Sequence, residues 1–440
     1  MAPWSIRHVD LSSPDAEIAR DTRPVFAVFW WRSLPLGTGT YLPEQLPLNR
    51  GQLLPLASEL ASAQLAARLP RFGGPARATR DGRPVMNVPL NAARSSGNLL
   101  VELERLAGDA SADARQLAVI ICTRDRPQAL AQCLARLTAQ VSLPGEIVVV
   151  DNSIARTAEA AVSRFAGIRY LHEPRRGLSA ARNAGIRASW LPLIAFTDDD
   201  VEPRPDWASE VVHAFSSPRV EAVTGLVLPA RLDTPAQSFF QLQMGGLGGG
   251  CLPLIFDSRF FAETQALGAQ VWRIGAGANM AFRRSAFDRI GLFDERLGAG
   301  ASGCSEDSEL WYRLLATGGT CRFEPRACVF HHHREQWSQL RSQMRAYMRG
   351  HVSALFVQAA LFKHPGNRRR IFLQLPNYFV RTAFRAIRDG GGAARLQILW
   401  DEIAGWLCGL HYALRPGWRA RSAPVLSAAV ASAAAEAQWR

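Results

Sequence analysis

The sequence predicts an α/β protein built on a doubly wound, mostly parallel sheet with flanking helices, preceded by a small α+β domain and followed by a helical C-terminal region. Three observations carry this. Short, wholly apolar runs rich in β-branched residues recur from Leu117 onward, as strands buried on both faces require. Helical stretches separate them, and that alternation implies right-handed crossovers in one sheet. Polar and acidic residues fall just past the strand ends, where open α/β sheets hold their ligands.

Residues 1–110 mix apolar runs such as Val25 to Trp31 with turn signals such as Pro35-Leu36-Gly37, and Leu99 to Leu103 reads as helix. This stretch is expected to be an accessory domain without chemistry of its own, joined by a small, polar linker from Asp109 to Arg115. The catalytic domain is expected over 115–335. Leu117 to Cys122 is its first strand, and Pro127 suits the first turn of a helix running to Leu137. Glu146 to Asp151, Ile168 to Leu171 and Pro192 to Thr197 are further strands, with a helix from Ser179 to Arg187. Val220 to Leu228 is another strand candidate, and loops are expected over Gly275 to Asn279 and Gly298 to Cys304. Residues 336–440 carry two apolar stripes at helical spacing, Trp337 to Met348 and Leu396 to Leu410. Their amphipathic character suits peripheral membrane contact.

Composition narrows the class. With 48% hydrophobic and 20% charged residues, wholesale disorder is excluded. The net charge of +13 and pI near 10.3 suit phosphate, diphosphate, an acidic membrane or nucleic acid. Almost all of that charge is arginine, since Lys363 is the sole lysine. The seven cysteines form no C-x-x-C pair, as expected of reduced thiols in a cytoplasmic protein. Neither a signal-peptide layout nor an apolar run of about 18 residues is present.

Chemistry concentrates in six places. Asp198-Asp199-Asp200 follows a buried strand directly. Three adjacent carboxylates repel one another unless cations compensate, and oxygen ligands of this kind suit Mg2+ or Mn2+. A solvated acidic turn is the bland alternative, weakened by the matching position of Asp151 after Glu146 to Val150. Asp151 either caps its own Asp-Asn-Ser turn or accepts from a nucleobase edge. Arg182 lies among small residues, Gly177 to Gly185, that let its helix approach the sheet closely. Glu306-Asp307 opens a helix, where acids complement the dipole, or else Asp307 is a general base. In His331-His332-His333, the first and third rings share a face if the chain is extended, so either can complete a metal site. Arg341, Arg345 and Arg349 recur every four residues, a solvated face or a contact for lipid phosphates.

Taken together, VIICTRDRP, EIVVVDNS, GLSAARNAGI, AFTDDD, GAGANMAFRRSAF, FDERLGAG, SEDSELWYRL and VFHHHRE resemble the family 2 glycosyltransferases, inverting enzymes of the GT-A fold. The resemblance spans Leu117 to Arg334. It implies transfer of a sugar from a nucleoside-diphosphate-sugar to a hydroxyl of a glycan, lipid-linked or small-molecule acceptor, as in cell-envelope or polysaccharide synthesis. It implies that Thr123, Arg124, Asp151, Arg182, Asp198 and Asp199 bind the donor, with Arg124 standing where many members carry an aromatic residue. Asp200, Asp198 and His331 would hold Mg2+ or Mn2+, with His333 a rival to His331. Asp307 would be the base, and Ala278, Asn279, Met280 and Glu306 would shape the sugar and acceptor site. Two other readings remain. A sugar-nucleotide nucleotidyltransferase would need a glycine-bearing phosphate loop where Thr123 to Pro127 has none. A nucleic-acid-binding protein would gather its arginines with aromatics on one surface, whereas here they are dispersed.

Overall fold

Burial on both faces decides where the strands form, and the strands decide where everything else sits. The computed structural model describes residues 2–68, 76–78, 84–85, 99–108, 112–388, 392–416 and 418; the Ala-rich end beyond them lies outside the described residues.

The chain opens with a three-stranded sheet of β1 (Ser5–Asp10), β2 (Val25–Trp31) and β3 (Leu34–Tyr41). β1 pairs parallel to β2, and β2 antiparallel to β3. Every residue of β2 is buried because the strand is sandwiched. Val25, Ala27, Phe29 and Trp31 pack in one core with α1 (Arg50–Arg68) and α2 (Leu99–Gly108). Phe26, Val28 and Trp30 face the core of the larger sheet instead. Two short strands from the stretch expected to form a separate domain, β4 (Ala76–Ala78) and β5 (Pro84–Val85), join that larger sheet at its edge.

The larger sheet is formed chiefly by β6 (Leu117–Thr123), β7 (Glu146–Asp151), β8 (Ile168–His172), β9 (Leu193–Asp198), β11 (Ala222–Pro229), β12 (Leu254–Phe256), β13 (Asn279–Arg283) and β14 (Cys321–His331). Its order is β5-β4-β12-β14-β11-β13-β9-β6-β7-β8, and a short β10 (Val201–Pro203) pairs with β14. From β9 to β8 the pairings are parallel, as the strand–helix alternation requires. The helices that cross over include α3 (Pro127–Leu137) and α4 (Leu178–Ala188). Side chains alternate between two cores, with Ile120, Ile194 and Phe196 on one face and Val119, Ile121 and Ala195 on the other. α4 comes close to the sheet at Gly185, where a Cβ would stand 2.5 Å from Ile120 Cγ2.

Beyond β9 the sheet departs from expectation. The stretch read as a loop ending at Asn279 delivers β13, antiparallel to both β9 and β11. The Gly298 to Cys304 segment, expected to be open, is strapped down. Ala299 O accepts from Leu178 N, Ser302 O from Arg349 Nε, and Cys304 Sγ reaches Tyr347 O.

The remaining helices include α5 (Trp207–Ala214), α6 (Glu306–Ala316), α7 (Trp337–Phe362), α8 (Leu375–Arg388) and α9 (Gly392–Leu414). α7 and α9 lie side by side through the two apolar stripes. The arginine row of α7 stays partly solvated, with the Arg341 and Arg345 side chains 41 and 54% exposed, and it also ties back to the chain. Arg341 Nε and Arg345 Nη2 both donate to buried Asp401, at 2.6 and 2.7 Å. Arg349 spends its guanidinium on the Ser302 and Ala301 carbonyls. All seven cysteines are unpaired. Among the described residues no helix is long and apolar enough to cross a membrane.

Candidate functional site

Buried β9 ends at Asp198, and the chain then turns through Asp199 and Asp200 into β10. The three carboxylates part company at once. Asp199 turns inward, 5% exposed, where Thr123 Oγ1 donates to it at 2.7 Å and Arg126 Nη1 at 3.0 Å. Burial, with Asp200 adding to it, pushes its carboxyl up to about 6. Asp198 keeps 34% of its side chain exposed. Asp200 accepts from Arg126 Nη1 at 2.8 Å and has Arg334 Nη1 at 3.6 Å. Burial would raise Asp200, but His331, Arg126 and Arg334 together outweigh it and leave it below the ordinary range.

β10 is paired antiparallel to β14, with Val201 opposite His331, and this places Asp200 beside the histidine triplet. His331 Nε2 lies 3.4 Å from Asp200 Oδ1. The other rings settle which histidine faces the carboxylate and in what form. Gln241 Oε1 is 3.0 Å from His333 Nε2, and since a carbonyl oxygen only accepts, that nitrogen carries the proton. His333 Nδ1 is then the acceptor for His331 Nδ1–H at 2.9 Å, which leaves His331 Nε2 with a bare lone pair. Burial holds His331 below its usual value against the opposing pull of Asp200, and takes His333 down to about 3. His332 points elsewhere, to Glu202 Oε1 at 2.7 Å. A lone pair and a carboxylate oxygen 3.4 Å apart are two acceptors with nothing of their own to share. That donor set fits a divalent cation taking one nitrogen and one oxygen. Among the described residues, no group of three or more His, Cys, Asp or Glu side chains is arranged to hold a metal, so phosphate or water oxygens would complete any coordination shell.

Arg182 brackets the other side. It is 2% exposed, wedged between the Phe196 and Phe293 rings at 5.7 and 5.4 Å. Its Nη1 donates to Glu306 Oε1 at 2.6 Å, and its Nη2 reaches Asp198 Oδ1 at 3.5 Å and Gly277 O at 3.2 Å. Burial pushes Glu306 up to about 7 against the opposing pull of Arg182. Asp307, half-buried at the start of α6, accepts from Gly277 N at 2.8 Å through Oδ2 and from Ser308 N at 2.6 Å through Oδ1. Strand end, glycine loop and helix start are thereby joined through one guanidinium and one peptide unit.

Other residues expected at the site are placed differently. The Ala278, Asn279 and Met280 side chains do not line the cleft, which corrects that expectation. β13 is a central strand, so Met280 enters one core and Ala278 the other. Asn279 is fully engaged, donating to Leu226 O and Ala327 O and accepting from Trp207 Nε1 at 2.9 Å. The loop contributes its Gly277 backbone instead. Asp151 is wholly buried, and its carboxylate accepts from Ser153 N, Ala158 N and Tyr170 OH, the turn-capping alternative. Arg124 is partly exposed, 3.5 Å from Asp125. Reading the sequence missed Arg126, Arg334 and Gln241. Arg334 carried a signal, a cation directly after the histidine triplet; Arg126, 73 residues from Asp199, and Gln241 carried none.

Residues 118–291 match the family described as Glycosyl transferase family 2. The pre-mycofactocin glycosyltransferase of Mycobacterium tuberculosis is 29% identical over 227 residues, covering 50% of this chain and 44% of that protein. The validoxylamine A glucosyltransferase of Streptomyces hygroscopicus subsp. limoneus is 26% identical over 313 residues, 66% of each. The chain thus spans less than half the length of the mycobacterial relative. A solved mannosyltransferase from Pyrobaculum calidifontis, in complex with GDP-Man and Mn2+, is 18% identical with a TM-score of 0.43 and covers 75% of this chain and 90% of its own.

Proposed function

We propose that this chain, whose catalytic domain belongs to the family 2 glycosyltransferases, moves a sugar from a nucleoside-diphosphate-sugar to an acceptor hydroxyl with inversion at the anomeric carbon. The observation that carries the reading is that Asp198, Glu306 and Asp307 meet at Arg182 and the Gly277 peptide, while Asp200, two residues on from Asp198, faces His331.

Asp200 and His331 would hold a divalent cation. An imidazole nitrogen beside a carboxylate oxygen favours Mn2+ over Mg2+, which prefers an all-oxygen shell. When bound, that ion would offset charge gathering on the departing nucleoside diphosphate. The chain's own cations, Arg126 and Arg334, stand beside Asp200 and would meet the same phosphates. Thr123 and Arg124 lie at and just past the end of β6, where the nucleoside of a donor would rest, and Asp151 holds the adjoining turn. Arg182 orients Asp198 and Glu306 so that both face the sugar. Asp307, aimed by two backbone N–H groups, would take the proton of the attacking hydroxyl, and one displacement would then invert the carbon without a sugar–enzyme bond. The acceptor is of the glycan, lipid-linked or small-molecule class.

The test is a pair of variants. Asp307→Asn should keep donor affinity in calorimetry with Mn2+ while transfer falls by about a thousandfold, the range of a lost general base. Asp200→Ala should lose Mn2+-dependent donor binding itself. Transfer at the wild-type rate by Asp307→Asn would overturn the base assignment.

A further inference from the structure

The segment from His364 to Arg388 carries six arginines and no acidic residue. It enters through a π-helical turn, Arg370–Gln374, that continues into α8. α8 is apolar on two opposite sides. Leu375, Phe379 and Ala386 are buried inward against the other C-terminal helices. At positions 373, 380, 384 and 387, spacings of seven, four and three, a second line of side chains falls on the outer face. These are Leu373, Val380, Phe384 and Ile387, exposed by 61, 69, 67 and 72%. Phe372, 52% exposed, adjoins them. Among the described residues, packing accounts for the inner face only, and a continuous outer row of this size calls for a partner.

Charge selects the partner. Arg381 and Arg385 follow the apolar row along one edge, and Arg368 and Arg369 stand at its N-terminal end, all exposed. A second copy of the chain packing this face antiparallel through a two-fold axis would bring arginine row against arginine row. A bilayer carrying anionic lipids offers the complement, acyl chains for the row and phosphates for the guanidiniums. We propose that α8 and the turn before it form an in-plane docking surface for an anionic membrane. The bound state needs no sugar donor and no metal, so it stands or falls separately from the transfer reaction. It deepens the transfer reading by favouring a lipid-borne acceptor.

The full chain should co-sediment with phosphatidylcholine vesicles containing phosphatidylglycerol and stay in the supernatant with phosphatidylcholine alone. Added salt should release it, since the flanking charges are screened. Phe384→Gln with Ile387→Gln, both exposed and clear of the core, should weaken sedimentation about tenfold or more. Arg381→Gln with Arg385→Gln should weaken it on anionic vesicles by a similar factor, about tenfold. Circular dichroism of each variant keeps a folding defect distinct from lost binding. Two results would overturn the proposal: equal retention on neutral and anionic vesicles, or a concentration-dependent dimer that the Phe384 and Ile387 changes abolish.

Discussion

At the scale of single residues, the site is set by groups that never touch a substrate. Gly277 is the clearest case. A Cβ there would lie 2.9 Å from Asp307 Oδ2 and 3.0 Å from Arg182 Nη2, so Gly277→Ala should displace both. We expect transfer to fall about a hundredfold, as for a misplacement of order 1 Å, with the melting temperature little changed; steady-state rates and a thermal melt on the same sample check it. The histidine chain makes a second case. Gln241→Leu removes the acceptor that fixes the His333 proton, and with it the tautomer that leaves His331 Nε2 bare. Mn2+ affinity, read by electron paramagnetic resonance without donor, should drop about ten- to a hundredfold, as for other outer partners of metal ligands. Asp200, His331 and Asp307 were singled out as candidates by residue type and by the family resemblance, with His333 left as a rival to His331. The partners that aim them were not, because Gln241 and the Gly277 peptide meet them only through tertiary contact.

At the scale of elements, the parallel half of the sheet could be read almost residue by residue, since β6, β7 and β9 bury both faces over apolar runs; only β8, half-exposed at the edge, carries a polar interruption in Arg169. β13 escaped because a strand fed by a glycine-rich loop shows no alternation to mark it, and the Ala278 to Met280 expectation failed with it. β14 reads as a strand only over Ala327 to Phe330, just before the histidine triplet, for its start carries Arg322, Glu324 and Arg326, charges that argue against a buried strand until their partners are known. Glu324 is fully buried between Arg68 and Arg322, at 2.8 and 2.6 Å. Burial opposes its ionisation, but the two arginines win and hold it well below the ordinary carboxylate value. Glu324→Gln would strand both cations and should cost about 3–5 kcal/mol near neutral pH. A depressed carboxylate stabilises the fold above its unfolded value and ceases to do so as acid protonates it. The gap between wild type and variant in urea melts should therefore hold above pH 4.5 and narrow below it.

For the whole molecule, the N-terminal stretch and the catalytic region share more than a linker. Trp30 packs in the catalytic core, with the Arg204 guanidinium 4.4 Å from its ring. β4 pairs with β12, and Arg68 at the end of α1 supplies half the neutralisation of Glu324. A chain begun at residue 112 would expose this face and leave Glu324 with one partner. We expect it to melt earlier and to be cut by protease under conditions that spare the intact protein; a truncated form as stable as the full chain would show the two parts to be independent. Composition gave no hint of this dependence, since the residues that create it are ordinary apolar and basic side chains.

The pairing of β10 with β14 sets Asp200 and His331 on neighbouring rungs of one ladder, Val201 opposite His331 and Asp200 O accepting from His332 N at 3.0 Å. Their separation is thus inherited from main-chain geometry rather than negotiated when a ligand arrives. The entropy of gathering the two groups is spent during folding, so capture of an ion there would be preorganised and the rest of the cleft left free to adapt to the sugar.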